Sequence, residues 1–301
     1  MKAIRLIVNA DDFGMSRGIT DGIILAHRYG FLTSASLMAN MPAAEYAVAR
    51  ARAFPRLAVG LHLNICQGRP LLPASEVSSL VGADGNFHPP REMARRLWTQ
   101  RAAPAEIERE FREQILWMKG RGLPPSHADS HHHMHLYPAA ARAFARALAA
   151  EAIPCARSCR CTEWPKGRAI GGPYGGGVVR RVCVQAYRRA LQRTILRRFG
   201  SPDSRVAISL GSAPRSVDLR DRWKTTLENL PPGTFELSCH PGLFERGFSE
   251  GDAIRMRREE ELLCLADHDV RGVTDRRGIQ LVTYRELPDS ESAARASQAV
   301  A

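Results

Sequence analysis

Apolar positions along the chain fall into short runs separated by amphipathic stretches. IRLIVN (4–9) is nearly continuous and predicts a buried strand. GITDGIILAHRYG (18–30) predicts a helix that stops at Gly30, and TSASLMA (33–39) a second strand. PAAEYAVARARAF (42–54) opens with proline in a helical first turn, and LAVGLHL (57–63) is strand-like again. Strand, helix, strand, helix, strand is the pattern of a parallel sheet with crossover helices. Residues 64–90 break the rhythm as a long Gly-, Pro- and Ser-rich loop, a kind that often carries function. Helical patterns resume at 91–101 and 104–121, followed by a short strand near 126–130 and an alanine-rich helix at 138–151. IPCAR (153–157) predicts a strand, and 158–178 a second long loop containing GGPYGGG. A helix at 178–199, a helix at 253–267 and strands at 205–210, 234–239 and 279–284 complete the pattern. The run RMRREEE in the 253–267 helix reads as a solvated face. About eight strand-like runs, most followed by a helix, match an α/β fold of the (β/α) barrel type, with an open doubly wound sheet as the alternative. The expected organisation is one domain, 1–287, with insertions at 64–90 and 158–178 and a flexible tail at 288–301.

Composition narrows the function classes. The 301 residues are 44% hydrophobic, enough for one large core or two smaller ones. The net charge of +12, mostly arginine, suits anionic partners and equally reflects a composition bias toward arginine. MKAIRLIVNADD is too short in its apolar part for a signal peptide, and no run approaches the roughly 18 apolar residues of a membrane span. Seven cysteines, an odd number, point to a reduced cytoplasmic protein. CARSCRC (155–161) lacks a C-x-x-C pair, so Cys155, Cys159 and Cys161 are expected as buried or free thiols rather than a zinc site. No G-x-G-x-x-G follows the first strand and no P-loop motif occurs, which removes support for nucleotide cofactors. The helix at 178–199 holds seven arginines around a Val184, Tyr187, Leu191, Ile195 stripe. Packing with a solvated basic face is the expected reading, and contact with a membrane surface the weaker one.

The chemistry-bearing residues cluster at strand ends, where parallel α/β folds bind ligands. The first strand ends in Asn9-Ala10-Asp11-Asp12, the third in His62-Leu63-Asn64, the next in Asp129-Ser130-His131, and the run at 234–239 in Cys239-His240-Pro241-Gly242. Two adjacent carboxylates in an apolar frame repel each other, and a cation relieves that penalty. One aspartate can then hold metal while its neighbour takes a proton. Five of ten histidines lie within 127–135. A helical segment would put His131 and His135 on one face, and an extended one would align His131, His133 and His135. His131 is favoured in both. Asp12, His62 and His131 then form a carboxylate-plus-two-imidazole set with open positions, suited to zinc, manganese, cobalt or nickel and less to magnesium. His132, His133 and His135 are left as supporting or substrate-contacting groups.

VNADDFGMSRGITDGI, GLHLN, DSHHHMH and CHPG, in this order, resemble the YdjC-like carbohydrate deacetylase family over about residues 4–287. The resemblance implies a distorted TIM-like barrel, one divalent metal ion (Mg, Zn, Mn, Co or Ni) and removal of N-acetyl groups from an amino sugar, either a chitooligosaccharide or a glycolipid such as a glucosaminyl hopanoid. By motif, Asp12, His62 and His131 would hold the metal, Asp11 would be the general base and His240 the general acid. Peripheral contact with the inner membrane face through 178–199 and a homodimer are left open, and nucleic acid is not expected as a partner. The rival readings are a metal-dependent phosphoesterase or amidohydrolase, a basic nucleic-acid-binding protein, and metal storage by the histidine block.

Overall fold

The computed structural model describes residues 3–163, 178–208, 218–245 and 257–287. Its elements run β1 (Ile4–Phe13), α1 (Arg17–Tyr29), β2 (Ser34–Leu37), α2 (Ala44–Arg52), β3 (Ala58–Leu63), α3 (Pro90–Trp98), α4 (Pro104–Gly120), β4 (Ala128–Ser130) and α5 (Pro138–Ala150). There follow β5 (Cys161–Glu163), α6 (Val178–Thr194), β6 (Ser204–Ala207), α7 (Leu219–Glu228), β7 (Gly233–Cys239), α8 (Arg258–Ala266), α9 (His268–Arg276) and β8 (Ile279–Leu281).

The eight strands form one parallel sheet in the order β4-β3-β2-β1-β7-β6-β5. One edge of β1 is shared: β8 pairs with Ile4–Leu6 and β2 with the part from Asn9 onward. The sheet curls into a half-barrel surrounded by helices, which is the distorted barrel expected. The segment 153–157 is not a full strand. It makes only single bridges, Ala128 with Ala156 and Cys155 with Gly200, and so links β4 to the far side of the barrel. Its proline, Pro154, removes one backbone donor from any ladder there.

Local chemistry sets the element ends. Ser16 accepts a hydrogen bond from the Ile19 N–H and caps α1, while Pro90, Pro104 and Pro138 open α3, α4 and α5. β1 and β3 are buried on both faces and mainly apolar in their N-terminal halves, as strands covered by helices require, with the buried polar residues Asn9, Asp11, Asp12 and His62 toward their C-terminal ends. Each fully buried leucine or isoleucine there contributes about 1.5–3 kcal/mol. Two glycines permit close approaches that set the rim. A Cβ on Gly60 would meet His127 Nδ1 at 2.3 Å, and one on Gly22 would meet Gly242 Cα at 2.4 Å. The first lets β3 run beside the His127 ring. The second lets α1 press against the turn that follows β7.

Three elements were not anticipated. β5 lies inside the stretch read as a loop; α7 and α9 are capped by Asp218 and Asp267, and bury only a few residues each. Of the expected 253–267 helix the described residues hold α8, which ends as expected at Ala266, where Asp267 starts the next helix; residues 253–256 lie outside the described residues. In α6 the stripe is buried only toward its C-terminal end, at Leu191, while Val182, Val184 and Tyr187 are exposed. All seven cysteines are free. Among the described residues no helix is long and apolar enough to cross a membrane. The GGPYGGG loop and the 288–301 tail lie outside the described residues.

Candidate metal centre

Adjacent aspartates on a strand ordinarily point to opposite faces. Here the β1–β2 register advances three residues on β1, Ala10 to Phe13, against two on β2, Ala35 to Leu37. Asp11 and Asp12 are the two residues inside this bulge, and Asp12 has a left-handed backbone, φ 67. The bulge brings both carboxylates to the same buried strand end, at a conformational cost of about 1–2 kcal/mol for a non-glycine residue.

Asp12 Oδ1 lies 3.2 Å from His131 Nδ1 and 3.5 Å from His62 Nε2, and the two ring nitrogens are 3.3 Å apart. All three side chains are buried. A tetrahedral ion with bonds of about 2.0–2.1 Å has ligand atoms about 3.3 Å apart, so this triangle has the dimensions of a tetrahedral face. Asp12 Oδ1 is moreover a buried oxygen with no hydrogen-bond partner of adequate geometry. A buried, unsatisfied anionic oxygen is costly, and a cation at this point satisfies it. The donor set fits a divalent metal of the zinc, manganese, cobalt or nickel type better than magnesium.

Each ligand candidate is oriented from behind. His62 Nδ1 lies 2.6 Å from Asp129 Oδ1, His131 Nε2 donates to Gln67 Oε1 at 2.8 Å, and Arg258 Nη2 donates to Asp12 Oδ2 at 2.7 Å. Burial alone would pull the His62 ring down, but Asp129, Asp11 and Asp12 outweigh it and push it up to about 9. For Asp12, burial works upward, and Arg258 with His131 overcomes it to hold the carboxyl well below the usual range.

Asp11 forms a second, distinct layer. Arg157, 1% exposed, holds it with two bonds, Nη2 to Oδ1 at 2.6 Å and Nη1 to Oδ2 at 2.9 Å. The same guanidinium reaches Asp129 Oδ2 at 2.6 Å and Glu236 Oε1 at 2.7 Å. Asp11, His62 and Asp129 also lie close enough to share an ion. That centre is already filled by the Arg157 cation, and His62 Nδ1 is committed to Asp129. Burial tends to raise the Asp11 carboxyl, but Arg157 outweighs it and lowers it. His240 Nε2 stands 3.8 Å from Asp11 Oδ2, with a quarter of its side chain exposed, at the open side of the site.

The remaining histidines stand elsewhere. Residues 131–136 form 3₁₀ turns broken at His132 and His133, with φ 50 and 55, so neither regular periodicity applies to the block. His135 stacks on Phe144 with ring centres 5.0 Å apart, and its Nδ1 lies 2.6 Å from Ser130 Oγ. Burial pushes it down to about 3. His133 sits against His135, with ring centres 6.3 Å apart, and His132 against His131 at 4.4 Å. None of the three joins the triangle. His127 is buried, stacked at 3.7 Å on Tyr284 and pushed down to about 3 by burial.

Sequence reasoning missed Arg157, Gln67 and Arg258, and passed over Asp129 as an orienting group. The run RMRREEE is not a purely solvated face: Arg258 is 3% and Glu261 5% exposed. Their spacing of three places both on the stripe with Cys264 and Leu265, and this spacing was the available signal.

Comparison with known proteins gives the family. The model of the YdjC-like protein family matches residues 5–276. A carbohydrate deacetylase of Geobacillus stearothermophilus is 33% identical over 282 residues, covering 93% of this chain and 97% of that protein. One from Clostridium beijerinckii is 28% identical, covering 94% and 100%. A crystal structure from Enterococcus faecalis V583, described as a candidate cellobiose-phosphate cleavage protein, superposes with a TM-score of 0.74 at 25% identity, covering 94% and 98%. With a family match across nearly the whole described barrel and the strand-end residues gathered at one rim, the chain belongs to the YdjC-like family.

Proposed function

We propose that the chain is a divalent-metal-dependent hydrolase that removes the N-acetyl group from an amino-sugar substrate. The observation that carries this reading is the buried, unpartnered Asp12 Oδ1 in a 3.2–3.5 Å triangle with two imidazole nitrogens, next to an Asp11–His240 pair. The naming of relatives as carbohydrate deacetylases supports the substrate class.

Asp12, His62 and His131 would hold the ion. When bound, it would supply Lewis acidity to the acetamide carbonyl and make the attacking water more acidic. Asp11 takes the proton from that water as oxygen attacks the carbonyl carbon. Arg157 keeps Asp11 ionised and fixed for this, at the expense of its basicity. His240, at the open side, donates a proton from Nε2 to the departing nitrogen as the C–N bond breaks. The products are acetate and a free amine. Each acid–base group typically contributes roughly 10²–10⁴-fold.

We include an N-acetylglucosaminyl lipid as well as oligosaccharides because α6 exposes Val182 and Val184 beside arginines, a surface suited to peripheral contact with a membrane. A sugar-phosphate substrate is the second reading, prompted by the description of the Enterococcus relative. Purified protein incubated with N-acetylglucosamine oligosaccharides, an N-acetylglucosaminyl glycolipid and sugar phosphates, with and without chelator, separates them. Chelator-sensitive release of acetate with equal free amine is expected. Phosphate release without acetate would overturn the assignment.

A further inference from the structure

Asp12 has two carboxylate oxygens, and they live in different surroundings. Oδ1 faces His62 and His131 and has no hydrogen-bond partner, whereas Oδ2 is held at 2.7 Å by Arg258 Nη2. Arg258 comes from α8, far away in sequence, and is itself buried. The first turn of α8 also clamps the segment after β7. The Gly242 N–H donates to Arg258 O at 3.2 Å, and the His240 N–H donates to Glu261 Oε2 at 2.5 Å. One helical turn therefore ties the Asp12 carboxylate to the backbone of His240.

A carboxylate offered to a divalent ion can bind through one oxygen or two. A guanidinium at the second oxygen blocks the two-oxygen mode and withdraws part of the anionic charge. It also places a positive charge near the ion, which weakens binding. Against this, the arrangement keeps coordination positions open, and a catalytic metal needs open positions while a structural one does not. Most outer contacts strengthen metal binding by fixing a ligand; this one is cationic and opposes the charge of the ion.

We propose that Arg258 is a positioning residue that restricts Asp12 to one-oxygen metal ligation, giving up metal affinity to leave a position open for water and substrate. The inference rests on the metal-site reading above and deepens it. It reverses the sign expected for a merely structural arginine. Loss of a structural contact loosens the site, whereas loss of a blocking cation frees Asp12 Oδ2 and tightens it.

The test is a Zn²⁺ titration of metal-stripped Arg258→Met, Arg258→Lys and wild-type protein by competition with an indicator dye, with thermal melts to verify folding. Arg258→Met is expected to bind Zn²⁺ at least fivefold more tightly than wild type while kcat falls at least tenfold. Its Co²⁺ form should show weaker visible absorption, as an added ligand oxygen produces. Arg258→Lys, which keeps the charge, should stay within threefold of wild type in Zn²⁺ affinity. A folded Arg258→Met that binds Zn²⁺ as loosely as wild type, or more loosely, overturns the inference and leaves the metal site standing. If Arg258→Met does not fold, Arg258→Lys decides: a change beyond tenfold in either direction overturns it. A wild-type protein that binds no Zn²⁺, Mn²⁺ or Co²⁺ overturns both this inference and the proposed function.

Discussion

At the scale of single residues, the site assigns different work to two neighbouring carboxylates. Asp12 faces two imidazoles, and Asp11 faces Arg157 and His240. Asp12→Ala is expected to abolish metal binding and turnover together, checked by metal content after dialysis and by free-amine assay. Asp11→Asn should retain the metal and lose about 10²–10⁴-fold in kcat; wild-type rates in that variant would remove Asp11 from the base role. Asp129→Asn should cost about 10–100-fold in metal affinity, because His62 loses the partner that fixes its ring. The raised His62 pKa adds a pH dependence with a definite sign. Without an ion, the ring is protonated below about 9, and metal binding at Nε2 must displace that proton. Affinity should therefore rise with pH until about 9 and level off above it. Calorimetric titrations in buffers of different ionisation enthalpy would count the proton released. The ligand candidates were legible in the sequence because aspartate and histidine at a strand end are unusual and specific. Arg157 was not, because arginine is commonplace in a chain of +12 charge and nothing local marks it as buried; for Arg258 the one local signal was its spacing of three from Glu261 on the stripe of Cys264 and Leu265.

At the scale of elements, periodicity located the long pieces and missed the short or polar ones. β1, β3, α1, α4 and α5 carry strong patterns, and their ends follow from Ser16, Gly30, Pro104 and Pro138. β5 has three residues, too few for a period to register, and α7 and α9 bury so little that their polar residues dominate the pattern. The bulge in β1 was not legible either, since it depends on pairing with β2 rather than on the DD dipeptide. Close packing makes a further prediction here. Gly60→Ala would drive a methyl into the His127 ring, which is stacked on Tyr284 and cannot retreat easily. Overpacking of this kind typically costs about 1–3 kcal/mol. The variant should show a lower midpoint in urea unfolding, and an unchanged midpoint would mean that the His127 ring is free to move.

For the whole molecule, the curled parallel sheet brings four strand ends, those of β1, β3, β4 and β7, to one rim and so builds a site from residues up to about 230 positions apart. The barrel was legible from the alternation of strands and helices, while its incomplete closure near 153–157 was not, because a run of five residues does not reveal whether it pairs fully. Nucleic-acid affinity is expected to be weak and to fall steeply with salt, and a filter-binding series would check this. The most direct measurement is anomalous diffraction from crystals soaked in a divalent metal. It should reveal one ion about 2.0–2.3 Å from Asp12 Oδ1, His62 Nε2 and His131 Nδ1. An ion held elsewhere, or this triangle still empty at saturating metal, would contradict the account.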